Sequence, residues 1–406
     1  MNIFNFLLAI VASVVLAKAP LVNRNHPDLI DNNYIVVMKK GVDPKAIHAY
    51  YSSMKATTGK LASGKRGFVR HFQVHDFNAY HVECDEEMLE DIRGNDIANS
   101  WVTLQAPIPQ GLPGPQTSLP CQADQSTPWG LGRISHRMPG IATYVDVIAP
   151  RSRAYMLDTG IRITHQEFGG RAIWGKNFIE GSPDQDEAGH GTATAGIVGG
   201  ATVGVDNSTL LIAVKVLDKN GVGSTSSSID GINWAVDNAR DANGISRTVI
   251  NMSLGGPLEQ AMNDAIQAAV EAGMAIVVAA GNANNDSCQS SPASAPNAIT
   301  VGAIDQQDRR SSYSNWGGCV DIFAPGDGIR TASYWSDDAY VAPSGTSVAC
   351  PHVAGLATLL RAREDLPAPI DVWNRIFKLG TKDRVQDARN SANLIAFNGN
   401  PAELEE

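Results

Sequence analysis

The stretch "PLEQAMNDAIQAAVEAGMAIVVAAGN", Pro257–Asn282, changes its hydrophobic period partway along. Leu258, Met262, Ile266 and Val270 recur every four residues, which puts them on one stripe of a helix. From Met274 the run becomes continuously apolar and ends in small residues, as a strand buried on both faces does. Similar short runs flank it: "LLIAVKVL" from Leu210, "TVINMSL" from Thr248 and "NAITVGAI" from Asn297. A second amphipathic helix, "SSIDGINWAVDNARD", lies between the first two. Strands alternating with helices predict an α/β fold, a parallel sheet covered by helices on both faces. In such sheets the chemistry gathers beyond the C-terminal ends of the strands.

The chain before this region has a different texture. "YIVVMKK" from Tyr34 reads as a strand, a helical segment follows around Pro44–Thr57, and "GFVRHFQV" and "NAYHVEC" alternate. The acidic "DEEMLEDIRG" reads as a helix, so residues 20–104 form a small α+β domain. "APIPQGLPGPQTSLP" from Ala106 is rich in proline and glycine, and residues 105–120 read as a linker without regular structure. At the N-terminus, an apolar run from Phe6 to Leu16 precedes Ala17-Lys18-Ala19. The run is too short to span a bilayer and is followed by an A-x-A pattern, so residues 1–19 are expected to be a secretion signal cut near Ala17 or Ala19.

The 406 residues carry a net charge of −10, and no basic patch stands out, which argues against a nucleic-acid partner. No later segment looks membrane-spanning. The five cysteines are an odd number for a secreted chain. Cys288 and Cys319 lie in loop-like sequence and are the candidate bridge; Cys84, Cys121 and Cys350 are left over.

"SGTSVACPHVAG", Ser344–Gly355, sets Ser347 at the mouth of an apolar helix, with Pro351 near its start. A serine is a weak nucleophile without a base to take its proton and a third group to orient that base. His190 in "EAGHGTATAG" is flanked by glycines that leave its ring open. "AYMLDTG" reads as a strand ending in Asp158. Asp158, His190 and Ser347 follow the Asp–His–Ser chain order, one of three distinct orders for this triad.

By these motifs the sequence resembles the subtilisin family of serine proteases, in its proteinase K-like branch. The resemblance rests on "DTGI" at Asp158, "GHGT" at His190, "NMSLGG" at Asn251, "AAGN" at Asn282 and "GTSVACPHVAG" at Ser347. It implies Ser347 as nucleophile, His190 as general base and then acid, and Asp158 as its orienter. Asn282 would donate to the oxyanion beside the backbone N–H of Ser347. Gly221, Val222 and Gly223, with Ser253, Leu254 and Gly255, would sandwich an extended substrate as an added strand. Ala279, Ala280 and Gly281 would wall a roomy pocket without a selecting acid, implying broad specificity. Pro296, Ala298 and Asp321 match a structural calcium site. The N-terminal domain resembles the family's inhibitory propeptide. The expectation is a secreted, monomeric endopeptidase acting on proteins and peptides, made as a zymogen that cuts itself between Leu104 and Cys121. No catalytic metal is implied, and there is no HExxH pattern.

Two departures stand out. Ala193 occupies the place of a second histidine of the family, and Val348 that of a methionine. His165 and His352 read as structural. His71, His75 and His81 would loosen the N-terminal domain in acid if they were buried against the catalytic domain. Asn207 and Asn285 start exposed-looking glycosylation sequons, whereas the sequon at Asn251 should be buried. Two rival readings are an esterase, which would show ester-only turnover, and a peptide-binding protein that has lost catalysis. The esterase lacks its G-x-S-x-G elbow here.

Overall fold

The computed structural model describes residues 18–23, 29–43, 45–46, 49–50, 67–95, 101–105, 107–109, 127–146, 149–242 and 244–404. The expected signal run, most of the helix around Pro44–Thr57, Cys121 and the greater part of the linker lie outside these residues.

The N-terminal unit is a five-stranded sheet in the order β1-β5-β2-β4-β3, built from β1 (Leu21–Val22), β2 (Asn33–Val37), β3 (Phe68–Val74), β4 (Phe77–Glu83) and β5 (Trp101–Leu104). The helix Glu86–Arg93 covers one face. Asp85 caps it by accepting from Met88 N at 3.0 Å, and Arg93 in the last turn suits the negative helix end. Strand alternation divides β2 between two cores. Tyr34 and Val36 pack with Leu89 and Ile92 inside the unit. Ile35 and Val37 join Ile229, Ile232, Met262 and Ile266 of the following domain. The small sheet therefore buries its second face against two helices of the large domain.

The unit extends beyond both expected boundaries. Ala19 is buried, and its N–H donates to Arg93 O at 2.8 Å. At the other end, Gln105 N donates to Asn33 O and the buried Gln105 side chain accepts from Ser226 N at 3.3 Å. The Pro-rich segment is not wholly irregular either. Pro107–Pro109 forms β6 and pairs antiparallel with β10 (Val222–Ser224), with Ile108 opposite Gly223. Proline lacks an N–H but is tolerated in a short strand at an edge, where Ile108 supplies the donor.

The large domain holds a nine-stranded sheet. Its parallel part runs β8 (Ala172–Asn177), β9 (Leu210–Lys215), β7 (Arg153–Asp158), β11 (Thr248–Met252), β13 (Ala275–Ala279), β15 (Ile299–Ile304) and β16 (Ile322–Pro325). A final antiparallel pair, Thr381–Lys382 with Leu394–Ile395, closes one edge. In β7, Ala154 and Met156 face the core containing the helix Thr346–Arg363, while Tyr155 and Leu157 face the helices Thr225–Asp241 and Gln260–Glu271. Both faces are covered, as the apolar runs predict.

Two local expectations are corrected. The helix expected from Leu258 onward starts at Gln260, so Leu258 precedes it and is 38 % exposed rather than part of the buried stripe. Pro351 is the sixth residue of the helix Thr346–Arg363, not part of its first turn. Its missing N–H leaves the Ser347 carbonyl without the i→i−4 bond it would otherwise receive. Cys288 and Cys319 are bonded as expected, and Cys84 and Cys350 are free and buried.

Candidate active site

The carboxylate, the imidazole and the hydroxyl come from three different elements. Asp158 is the last residue of β7, His190 the first of the helix His190–Gly199, and Ser347 the second of the helix Thr346–Arg363. The two helices pack on each other. His190 Nδ1 lies 2.7 Å from Asp158 Oδ1, and both side chains are buried. Asp158 also accepts from Thr159 N at 2.7 Å and from Thr194 Oγ1 at 3.2 Å. These bonds fix the carboxylate and leave His190 Nε2 as the ring nitrogen free to work.

The turn into the histidine helix is tightly constrained. Gly189 has φ +89°, and a Cβ there would meet the Tyr334 ring at 2.2 Å. At Gly191 a Cβ would lie 2.0 Å from Gly160 O, the turn after Asp158. Asp186 binds this turn from below: it accepts from Thr159 Oγ1, Ala188 N, Gly189 N, Thr192 N and Thr192 Oγ1. The buried Lys215, whose pKa burial lowers, donates to Thr159 O at 2.7 Å and Leu217 O at 2.9 Å.

Asn282 follows β13 and is oriented by the residue before the serine. Its Oδ1 accepts from Thr346 N at 2.8 Å and Thr346 Oγ1 at 3.0 Å. Thr346 Oγ1 in turn accepts from Gly281 N at 3.1 Å. With the carbonyl end tied, the amide end must point the other way. Ser347 Oγ, His190 Nε2 and Asn282 Nδ2 are all buried polar atoms without a hydrogen-bond partner. Buried polar atoms of a folded protein are seldom left unpaired, and those that are call for an explanation such as a catalytic role. A base, a hydroxyl and an amide donor left free together form an arrangement that can attack an acyl group and hold the resulting oxyanion.

Two backbone segments flank β6 as walls. β10 carries Val222 and Gly223, with Gly221 just before it in a positive-φ turn. The other wall runs through Ser253 and Leu254, both buried, and Gly255 to Gly256. β6 lies between the walls: it pairs with β10, and a Cβ on Gly256 would approach Pro107 O at 3.1 Å and Ile108 Cδ1 at 3.2 Å. Ala279 and Ala280 are buried at the end of β13, and Gly281 takes φ +102°.

The two departures meet at one place. Ala193 and Val348 both line a cavity of about 240 Å³ beside His190, together with Tyr334 and Trp335. Cys350 is buried deeper, its Sγ 3.3 Å from Asn251 Oδ1, and burial raises its thiol well above the usual range. His165 and His352 are held by Ala339 O and Val348 O, and burial lowers His352 to about 4. Asn251 is buried, whereas Asn207 and Asn285 are exposed.

The calcium candidates stand just ahead of two paired strands. Pro296 and Ala298 precede β15, Asp321 precedes β16, and these strands pair in parallel with Val301 opposite Ile322. Asp321 accepts from Thr300 N at 2.8 Å, and burial raises its pKa to about 6. An under-solvated carboxylate is the kind of oxygen ligand a hard cation takes. Among the described residues no cluster of three His, Cys, Asp or Glu side chains could hold a metal.

Sequence reasoning missed Thr346, Asp186, Lys215 and β6. Thr346 stands inside a motif that drew attention only to its neighbour, and Asp186 lies four residues before His190.

Residues 156–378 match the model of the subtilase family. Subtilisin-like protease 1 of Pseudogymnoascus destructans is 42 % identical over 400 residues, covering 98 % of this chain and 97 % of that protein. Alkaline protease 1 of Aspergillus flavus is 38 % identical over 407 residues, covering 97 % and 98 %. The crystal structure of a cold-adapted subtilisin-like serine proteinase superposes with a TM-score of 0.63 at 38 % identity, covering 68 % of this chain and 98 % of that one. The first two share the N-terminal region as well as the large domain. No described helix is long and apolar enough to cross a membrane. The chain belongs to the subtilase family and is a subtilisin-like serine protease.

Proposed function

We propose that this chain is a secreted endopeptidase of broad specificity, made as a zymogen whose N-terminal domain fills the cleft until it is cut away. Ser347 attacks the peptide carbonyl, and His190 takes its proton and later gives it to the leaving amine. Asp158 holds the imidazole in the required tautomer. Asn282 Nδ2 and Ser347 N donate to the oxyanion. The acyl-enzyme on Ser347 is then hydrolysed by water with the same groups.

The single observation that carries the zymogen reading is β6. Pro107–Pro109 runs antiparallel to β10 against the wall that ends at Gly256, the position an extended substrate would take. The chain would thus occupy its own cleft as a product-like strand, with the cut beyond Pro109, inside the expected span from Leu104 to Cys121. The small side chains of Ala279, Ala280 and Gly281 leave room for large apolar side chains and present no acid to select lysine or arginine. Pro296, Ala298 and Asp321 would hold a structural calcium ion, and Asn207 and Asn285 would carry glycans in a glycosylating host. The enzyme acts as a monomer.

The test is to express the full chain and its Ser347→Ala variant and follow chain length and casein hydrolysis. The wild type is expected to lose the N-terminal domain and digest casein, while the variant stays whole and inert. A variant that still shortens itself and digests casein rules out Ser347 as nucleophile.

A further inference from the structure

Glu259 stands where the two domains meet. It precedes the helix Gln260–Glu271, is wholly buried, and spans the interface with its carboxylate. Oε2 accepts from Thr103 Oγ1 of β5 at 3.3 Å and from Asn23 Nδ2 at 3.2 Å, both in the N-terminal domain. The same Asn23 amide donates to Leu258 O at 2.7 Å. Oε1 is buried with no partner at all. A half-satisfied carboxylate in a dry interface is costly when ionised and far less so when it carries a proton. Its partners from the N-terminal domain are a hydroxyl and an amide, neither of which brings a compensating charge.

We propose that Glu259 makes the grip of the N-terminal domain on the catalytic domain depend on pH, binding a proton while the domains are docked and driving them apart when it ionises. This rests on the reading of the N-terminal domain as a detachable inhibitor, and adds how that inhibitor is released.

The surroundings support the direction. On its own helix Asp264 and Glu271 face Lys40 of the N-terminal domain, which also pairs with Asp76 at 2.9 Å. On the helix Thr225–Asp241, Asp230 pairs with Arg70 of β3. On the side of β14 (Ser290–Ser291), which pairs with β12 (Gly256–Pro257), the neighbours are the uncharged Ser291 and Ser294. None of these charges acts on Glu259. Burial raises it from 4.5 to about 7, against the bonds from Thr103, the Ala261 N–H and Asn23. Burial also raises Asp230 and Asp264 at the same interface. The N-terminal histidines do not supply the switch. His71 and His75 are exposed, and His81 is buried within its own domain against Asn33, lowered to about 4 and hence neutral.

The docked pKa lies above that of a solvated glutamate, so the full grip is present below about 4.5 and declines as pH rises through 7. Over that window docking weakens about tenfold per pH unit, on the order of a few hundredfold in all. Acid retains the inhibitor, and neutral to alkaline pH releases it.

The test uses the uncut Ser347→Ala chain, in which docking is separated from catalysis. Amide hydrogen exchange at β2 and β5, corrected for the intrinsic pH dependence of exchange, is followed from pH 4.5 to 8. Protection is expected to fall with rising pH, and to become nearly flat when Glu259→Gln is added. Amides of β11 and β13 must stay protected in both, which shows that the core is folded. Should Glu259→Gln disturb that core, Thr103→Val decides instead. It removes one donor to the ionised form from the other side of the interface, and must carry the decline to higher pH. A decline of the same size in the presence and absence of Glu259→Gln, or no decline in the parent, overturns the proposal. If the active chain proves not to be inhibited by its N-terminal domain, the zymogen reading fails, while exchange on the inactive chain still decides the role of Glu259.

Discussion

Asp158 and Glu259 are both buried carboxylates, and the molecule treats them differently. Asp158 receives His190, the Thr159 N–H and Thr194 on its two oxygens, all from the catalytic domain. Glu259 receives Thr103 and Asn23 from the other domain on one oxygen and leaves the other bare. The first is a permanent fixture whose bonds survive any movement of the N-terminal domain. The second is satisfied only in part, and its side-chain donors leave with that domain. A buried charge with its own full set of donors serves as machinery, whereas one that borrows its donors across a removable interface responds to conditions.

The comparison breaks most visibly at Asp158. Asp158→Asn keeps the shape but loses the charge that holds His190 in its working tautomer. Turnover of peptide by the processed enzyme is expected to fall by on the order of 10⁴-fold, while the pH dependence of docking stays as in the parent. An Asp158→Asn enzyme that turned over peptide normally would place the machinery elsewhere. Steady-state kinetics on a chromogenic peptide reads this directly.

Asn282 and Thr346 sharpen the picture of a fixed site. Asn282→Ala removes a donor to the oxyanion and should lower kcat by about 10²–10³-fold with KM little changed, the size that removing the corresponding donor gives in subtilisin, a member of this family. Thr346→Val removes the hydroxyl that bridges Gly281 N and Asn282 Oδ1. It touches no substrate, so it acts through the aim of Asn282. Its loss should be smaller, about tenfold in kcat for one hydrogen bond, and negligible once Asn282 is already alanine. Equal losses for Thr346→Val in both backgrounds would mean that Thr346 acts on something other than Asn282.

Much of the site was legible in the sequence because its residues stand in contiguous motifs. A strand ending in Asp158, a glycine-flanked His190 and a helix opening at Ser347 each announce themselves locally. The parallel sheet was legible for the same reason: two-sided burial makes a run apolar without any knowledge of its partner. Asp186 was not, since its five bonds depend on a turn folding back onto it. β6 was hidden by composition, because two prolines in three residues read as a linker, and only β10 opposite makes them a strand. Glu259 was the least legible. In sequence it is one acid ahead of an amphipathic helix, and its side-chain donors come from another domain.

The central claim is that Ser347 is the nucleophile of a site whose base and oxyanion donor stand free beside it. The most direct measurement is intact and peptide mass after treating the processed enzyme with an irreversible serine-directed phosphonylating reagent. The account predicts one adduct, on Ser347, with activity lost in step with labelling, and no adduct in the His190→Ala variant. An adduct on another residue, or full loss of activity with Ser347 unmodified, would contradict it.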